Sequence, residues 1–395
     1  MKNMVNRDCD CCGNIELRKV YSYYYKVMTR KGQLEWEVKN VVCKKCGFVF
    51  VSPVPDEKTL SEFYENQYVH YKKQAIDFSV EKRVSAIKKL PNLIDSFNEN
   101  ECLPKTFIDI GAGLTSKLYL DKISEMFTNI MVVEPNIDAK TKYSSIDQLP
   151  KGCGDVIVAY DVLHHITKPH NFLQKCASVL ADNGYLILEV PNLYCYPRSP
   201  SPFFITHGEI VNHFSPHSLF KLAAKAGLKL VEMSSIKASR IDRIFAVLRT
   251  KHRVDSFDNK SKSDNVEPIY ASSCMKETVE KINIYKKKLF KVRHIIDAIC
   301  SKDNTAIIWG ANHIGEMLLD DYNVPENAVI IDSDLQKKRF FWPQPVLMPE
   351  KCLNEIRHAK LFVFCVIIHI EDIKDWIKKN TGRSLKKDEI LFLGQ

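Results

Sequence analysis

Apolar positions along the chain fall into short continuous runs separated by longer stretches of helical period, and the runs come in two series. The first opens at Thr106-Phe-Ile-Asp-Ile-Gly-Ala-Gly113, where a β-branched and aromatic run closes on an acid and two glycines. Such a run, stopped by Gly-x-Gly and followed by a helical pattern, predicts a buried first strand and its turn in a parallel α/β sheet that binds a ligand at the strand's C-terminal edge. Asn129 to Val133, Gly154 to Tyr160, Leu180 to Pro191 and Arg243 to Arg249 continue the series as strands. The second series, Ala306 to Gly315, Val329 to Asp332 and Leu361 to Ile368, predicts another α/β unit. Between the two lie a polar stretch near 255–266 and a charged helix from about Met275 to Cys300, the pattern of a boundary with a bridging helix.

Upstream of the first series the pattern changes. A segment alternating with period two leads to Phe48-Val-Phe-Val-Ser-Pro-Val-Pro55, a strand ended by prolines, which supply no ladder N–H. A helical region from about Lys58 to Asn98 follows, broken at Pro91 and carrying Phe63, Tyr64, Tyr68 and Tyr71, aromatics best read as packing with hydroxyls near a cleft. The expected plan is a lobe over 1–56, a helical lead-in over 57–100, a ligand-binding domain over 101–250, a linker and bridging helix over 251–300, and a Rossmann-like domain over 301–395.

Composition narrows this picture. A chain of 395 residues is longer than one typical domain, and its longest apolar run, Leu361 to Ile368, is far short of the ~20 residues that cross a bilayer. Without a basic and apolar leader at Met1, a cytoplasmic protein with no membrane partner is expected. The net charge of +9 is spread along the chain, densest at Lys286 to Lys288, and reads as solvated helix faces rather than a nucleic-acid footprint. Thirteen cysteines, an odd number with four in two close pairs, favour reduced thiols and a metal over disulfides.

Those pairs are Cys9-Asp-Cys-Cys12-Gly13 and Cys43-Lys-Lys-Cys46-Gly47. Cys9, Cys12, Cys43 and Cys46 have the spacing of a tetrahedral zinc site, each second cysteine being followed by a glycine that permits a tight turn. Cys11 is an extra thiol outside that set. Four sulfurs leave no open position, so the zinc is expected to be structural. A nucleic-acid-binding ribbon is the rival reading, kept open by Tyr21-Ser-Tyr-Tyr-Tyr-Lys26.

The Gly111-x-Gly113 turn takes its meaning from context. Ser116 stands where a dinucleotide fingerprint has its third glycine, so the close helix approach to a pyrophosphate is not provided for. Glu134, 21 residues past Gly113 (134 − 113), ends the next apolar run where an acid binds ribose hydroxyls. Asp161-Val-Leu-His-His165 follows the strand at Gly154 to Tyr160, ahead of a helix starting near Pro169. A cofactor with ribose hydroxyls and no pyrophosphate fits all three, and S-adenosylmethionine is one.

Together with Leu180-Ala-Asp-Asn-Gly-Tyr-Leu-Ile-Leu-Glu-Val-Pro191, these stretches resemble class I S-adenosylmethionine-dependent methyltransferases over roughly Phe107 to Arg249. The resemblance implies Asp109, Gly111 and Gly113 beside the methionine moiety, Glu134 on the ribose, a residue near Asp147 on the adenine, and Asp161 to His165 along the methyl-transfer side. The insertion from Pro191 to Ser215, rich in Pro, Tyr, Phe and His, is longer than a structural connection needs and should form the acceptor pocket. Its Glu209-Ile-Val-Asn-His-Phe-Ser215 resembles an element of three-part bacterial methyltransferases that include sugar 3-C-methyltransferases, which also have a four-cysteine zinc lobe and a C-terminal Rossmann-like domain.

Where that group carries its histidine base, this chain has Ile210, which cannot move a proton. Carbon methylation needs a base and an electrophilic partner, whereas hydroxyl methylation needs one base near the attacking oxygen. Candidate bases are His213, Glu209, His207 and His165, with Tyr68 to assist. The resemblance implies a nucleotide-linked sugar or related saccharide as acceptor. O- or N-methylation of another small metabolite is the alternative that Ile210 brings in. In the C-terminal domain Asn312 holds the middle glycine position, which leaves a choice between a wall for an activated sugar and a degenerate packing domain.

Overall fold

The computed structural model describes residues 4–29, 32–67, 81, 83–89, 106–112, 120–199, 202–237, 241–250, 266–334, 342–366 and 369–393. Gly113, Ser116, Tyr68, Tyr71 and Pro91 lie outside them. Two compact units are present, one holding Met1–Ser199 and Phe203–Thr278, the other Pro200–Pro202 and Val279–Gln395.

In the first unit the N-terminal lobe is a long hairpin, β1 (Leu17–Thr29) and β2 (Gly32–Cys43), extended by β3 (Val49–Val51). Helix α1 (Glu57–Glu62), capped by the Asp56 side chain, runs straight into a π-helical turn at Phe63–Gln67, and residues 83–89 are helical. The central sheet comprises β4 (Thr106–Ile110), β5 (Asn129–Val133), β6 (Gly154–Tyr160), β7 (Leu180–Pro191), β9 (Leu228–Ile236) and β10 (Arg243–Thr250). Their spatial order is β9-β10-β7-β6-β4-β5. β4 pairs in parallel with β5 and β6, and β6 with β7, while β10 runs antiparallel to both β7 and β9. Alternate residues of each strand supply opposite cores. Ile108, Ile157, Leu186 and Leu188 face one, Phe107, Val156, Val158 and Ile187 the other, so both faces are covered, as a parallel sheet requires.

The expected strands form within a residue or so of their predicted ends, and helix α2 (Pro169–Val179) opens at the predicted proline. In the Pro191 to Ser215 insertion, two 3₁₀ turns (Leu193–Arg198 and Pro202–Thr206) lead to β8 (Asn212–His213), and Ser215 then caps α3 (Pro216–Lys225). β8 does not join the central sheet. It pairs antiparallel with β3, making the lobe's sheet four-stranded in the order β8-β3-β2-β1. Phe48 and Phe50 of the lobe and Phe214 of the insertion share one core with Ile108 and Leu188.

Helix α4 (Glu267–Cys300) starts eight residues earlier than the charge pattern indicated (275 − 267), with Pro268 in its first turn. Buried Glu267 accepts from the hydroxyls of Tyr194 and Ser215 (Ser215 Oγ to Oε1, 2.6 Å), which ties it to both ends of the insertion. The second unit is a five-stranded parallel sheet of β11 (Ala306–Trp309), β12 (Ala328–Ile331), β13 (Val346–Leu347), β14 (Leu361–Phe364) and β15 (Ile390–Phe392), ordered β13-β12-β11-β14-β15. Helices α5 (His313–Leu319), α6 (Leu353–His358) and α7 (Ile370–Thr381) accompany it. β14 stops at Phe364, four residues short of the apolar run that predicted it (368 − 364).

Candidate active site

The four paired cysteines converge. The sulfurs of Cys9, Cys12, Cys43 and Cys46 all lie within 4.8 Å of one another, Cys9 to Cys46 at 3.4 Å and Cys12 to Cys43 at 3.5 Å. Tetrahedral zinc with ~2.3 Å bonds needs sulfurs about 3.8 Å apart, so the set fits such an ion. Both knuckles turn through a left-handed glycine, Gly13 at φ 73° and Gly47 at φ 74°, whose N–H groups return to the carbonyls of Cys9 and Cys43. Hydrogen bonding among the thiols holds Cys9 well above the ordinary thiol value and Cys46 well below it.

At the C-terminal edge of the central sheet, the chain leaves β4 through Gly111 at φ 70°. The Gly111 N–H donates to the Val133 carbonyl at 2.8 Å, and a Cβ on Gly111 would lie 2.3 Å from Val162 Cγ2. The glycine therefore lets the Asp109 turn lie directly against the Asp161 to His165 segment. Asp109 and Glu134 are both buried, the latter accepting from the Asn136 N–H through Oε1 at 3.0 Å. Asp147 is exposed in a 3₁₀ turn and pairs with Lys175 at 2.6 Å.

Asp161 sits at φ 61°, a left-handed conformation that costs a non-glycine residue roughly 1 kcal/mol or more. Two arginines hold it there: Arg243 Nη1 on Oδ1, and Arg83 Nη2 on Oδ2 at 3.4 Å. Arg83 also forks onto buried Glu189, Nε to Oε2 at 2.9 Å and Nη2 to Oε1 at 3.0 Å, and covers the Tyr160 ring. A desolvated, bidentate pair of this kind fixes geometry more than it adds net stability.

Asp161 leads into His164 and His165. The His165 Nδ1 lies 2.7 Å from the Glu209 carbonyl oxygen. A carbonyl only accepts, so Nδ1 carries the proton and Nε2 keeps its lone pair. Burial pulls the His165 pKa down to about 4, against the raising effect of that hydrogen bond. The ring is thus neutral at physiological pH. The Tyr64 hydroxyl approaches both His165 Nδ1 (3.2 Å) and the Glu209 carbonyl (3.4 Å), and the Tyr64 carbonyl accepts from Asn136 Nδ2 at 2.9 Å. This one residue of the π-helical turn spans from the Glu134 loop to the His165 side. A π turn inside a helical stretch marks functional positions often enough to have drawn notice, but nothing in the sequence shows one.

The remaining candidate bases sit elsewhere. His213 is buried, with Nε2 2.8 Å from Asn40 Oδ1 and Nδ1 3.0 Å from the Tyr196 hydroxyl, and burial lowers its pKa to about 3. Both nitrogens are engaged, and the Asn40 amide donates to the Ile205 carbonyl at 2.8 Å, so this group fastens the insertion to β2. His207 is half-buried with its ring against Tyr25 and Phe204. Ile210 is buried, 6% exposed. The Glu209 carboxylate accepts from the Tyr25 hydroxyl at 2.8 Å. Asn40 and Arg83 are site-side residues that sequence patterns gave no chemical role, while Tyr25 reads there only as part of a possible nucleic-acid-binding stretch and Tyr64 only as packing with its hydroxyl near a cleft.

In the second unit the turn after β11 closes on itself. Asp332 Oδ2 accepts from the Ala311 N–H (2.7 Å) and Oδ1 from the Asp334 N–H (2.8 Å), while the Asn312 side chain caps α5. Among the described residues, no helix is long and apolar enough to cross a membrane.

Residues 82–233 match a family model described as a methyltransferase domain. Among solved structures, the chain is similar to the Burkholderia thailandensis 1,6-didemethyltoxoflavin-N1-methyltransferase, crystallised with S-adenosylhomocysteine, at 14% identity over 44% of this chain and 79% of that one (TM-score 0.32). It is also similar to an S-adenosylmethionine-dependent methyltransferase from Clostridium acetobutylicum, at 11% identity over 45% and 93% (TM-score 0.34). No curated protein matches the sequence. The fold is that of an α/β Rossmann-like methyltransferase, and residues 82–233 form a methyltransferase domain.

Proposed function

We propose that this methyltransferase alkylates a small activated-sugar or related saccharide acceptor at a heteroatom, with His165 as the base. The observation that carries the reading is the placement of the neutral His165 ring, its proton on Nδ1 and bonded to the Glu209 carbonyl, one segment away from the Gly111 turn. S-adenosylmethionine, when bound, supplies an electrophilic methyl group. Asp109, Gly111 and Gly113 would hold its methionine end, Glu134 its ribose and a residue near Asp147 its adenine, with Asp161 braced by Arg83 and Arg243 beside the reacting end. Positioning supplies most of the acceleration in such a transfer.

His165 Nε2 would take the proton of an acceptor hydroxyl as its oxygen attacks, and the Glu209 carboxylate and His207 would orient the acceptor. With Ile210 aliphatic and buried, that position supplies no proton-moving group to drive enolate formation, which favours oxygen or nitrogen over carbon as the methylated atom. The lobe's thiolates would hold one structural zinc, and the C-terminal unit, with its turn acid spent on its own backbone, would serve packing or acceptor binding rather than a dinucleotide. A cytoplasmic location and no nucleic-acid partner complete the proposal.

Incubation with S-adenosylmethionine and a panel of nucleotide sugars is expected to release S-adenosylhomocysteine. His165→Gln should lower that rate by about 10² or more while thermal stabilisation by S-adenosylmethionine persists. Turnover no faster than without acceptor across the panel would remove the sugar reading, and an undiminished His165→Gln rate would remove the base. O- or N-methylation of another small metabolite is the second reading, favoured by the same Ile210, and a wider panel of hydroxyl and amine acceptors separates the two.

A further inference from the structure

The N-terminal lobe does more to the insertion than lie beside it. β3 pairs with β8, matching Phe50 to Asn212 and Val49 to His213, and the Val51 N–H donates to the Val211 carbonyl at 2.9 Å. The Arg7 guanidinium reaches the Val211 carbonyl (3.1 Å) and Asn212 Oδ1 (2.9 Å). Further out on the hairpin, Tyr25 and Trp36 are cross-strand partners with rings edge to face at 4.9 Å. Both press on the Gly208 backbone, where a Cβ would fall 2.4 Å from Tyr25 Cδ1 and 2.5 Å from Trp36 Cζ2. At the next residue the Tyr25 hydroxyl, on a side chain only 6% exposed, donates to Glu209 Oε1.

We propose that Tyr25, on the lobe hairpin, is a positioning residue for methyl transfer: by fixing Glu209 it holds the carbonyl that keeps the His165 proton on Nδ1 and leaves Nε2 to act. The inference rests on the reading of His165 as base. Glu209 is held from two sides, by Tyr25 through its carboxylate and by Tyr64 at its carbonyl. With the ring contact on Gly208, the peptide that receives the His165 N–H has little freedom to turn. Losing the Tyr25 hydroxyl removes one of the contacts that hold Glu209 and widens the range over which that peptide can tilt. The imidazole then loses its preference for one tautomer, and a fraction of molecules present a protonated Nε2 that cannot accept. A phenylalanine at 25 fills the same volume, so packing on Trp36 and Gly208 is kept.

The test is Tyr25→Phe in the full-length, metal-replete protein, assayed with the nucleotide-sugar panel and examined by ¹⁵N-histidine correlation spectra, with the His165 signals assigned through His165→Gln. The expected result is turnover down about tenfold, acceptor KM within about twofold, S-adenosylmethionine-induced stabilisation unchanged, and His165 signals shifted from the Nδ1–H form toward a mixture. In a Glu209→Ala background the same substitution should add little, because the Tyr25 hydroxyl then has no acceptor at that side chain to hold. Wild-type turnover and tautomer in Tyr25→Phe, or a loss that adds in full to that of Glu209→Ala, overturns the proposal. If His165→Gln itself turns over normally the base reading fails, while the tautomer signal of Tyr25→Phe still decides whether Tyr25 positions the ring.

Discussion

Both α/β units present the same sequence device, an apolar strand, a glycine turn and an acid ending the next strand, and they differ in what closes on the turn. In the central sheet, the turn after β4 opens through Gly111 onto the Asp161 to His165 segment, and its acid is Glu134. In the second unit, the acid Asp332 turns both carboxylate oxygens onto backbone N–H groups of its own loops, at Ala311 and Asp334. Gly315 there meets the Gly310 carbonyl so closely that a Cβ would lie 2.5 Å from its oxygen. The pattern specifies a turn whose acid bonds the backbone two residues on in both units, Glu134 to Asn136 and Asp332 to Asp334, and the difference lies in what closes on the glycine.

The largest effect that would break this comparison is at the two glycines. Gly111→Ala puts a Cβ into Val162 and forces a left-handed conformation on alanine, so S-adenosylmethionine affinity by calorimetry should fall at least about a hundredfold, some 2.7 kcal/mol. Gly310→Ala, at φ 114°, should lower the melting temperature while leaving that affinity within about twofold. Equal losses of donor binding in the two variants would mean that the turns are not distinguished as argued.

A smaller effect separates the acids. Glu134→Gln should weaken S-adenosylmethionine by about tenfold, the scale of one charge-assisted hydrogen bond. Asp332→Asn should destabilise the protein by about 1–3 kcal/mol in denaturant unfolding, with donor binding unchanged. If Asp332→Asn weakened the donor, the second unit would have to take part in its binding.

The sequence made most central strands and the knuckles legible because their signals are local, apolar runs, proline at the start of α2 and a glycine behind each cysteine pair, whereas the half-exposed β9 and the two-residue β8 are not predicted. What it hid are pairings made by the folded chain. Arg83 meets Glu189 from 106 residues away, His213 meets Asn40 from 173, and Tyr25 meets Glu209 from 184. His213 illustrates the difficulty. As a residue type beside Glu209 it is a fair candidate base, and only the partners of both its nitrogens show that it fastens two elements together. The start of α4 was within reach, since Pro268 is a first-turn signal, but the charged positions that drew the eye begin later.

The smallest effect is in the pH dependence. His165 and His213, pulled by burial to about 4 and about 3, stay neutral in the folded protein over a range where the unfolded chain, with histidines near 6.5, takes up protons. Stability is therefore full above about pH 6.5 and declines as pH falls toward 4. In the absence of other titrations the acid limb of kcat should appear near 4 to 5. A limb at 6.5 would place the working base outside this buried environment.

The pairing of β3 with β8 has a consequence for the order in which the molecule can be made. Val49 and His213 are neighbours in the sheet but 164 residues apart in the chain (213 − 49), so the lobe emerging from the ribosome lacks its edge strand until most of the central domain has followed. Until then β3 presents an open edge carrying Val49, Phe50 and Val51, side chains that are fully buried in the finished protein. The lobe precedes the four parallel strands β4 to β7 in the chain but is completed only after all of them have been made.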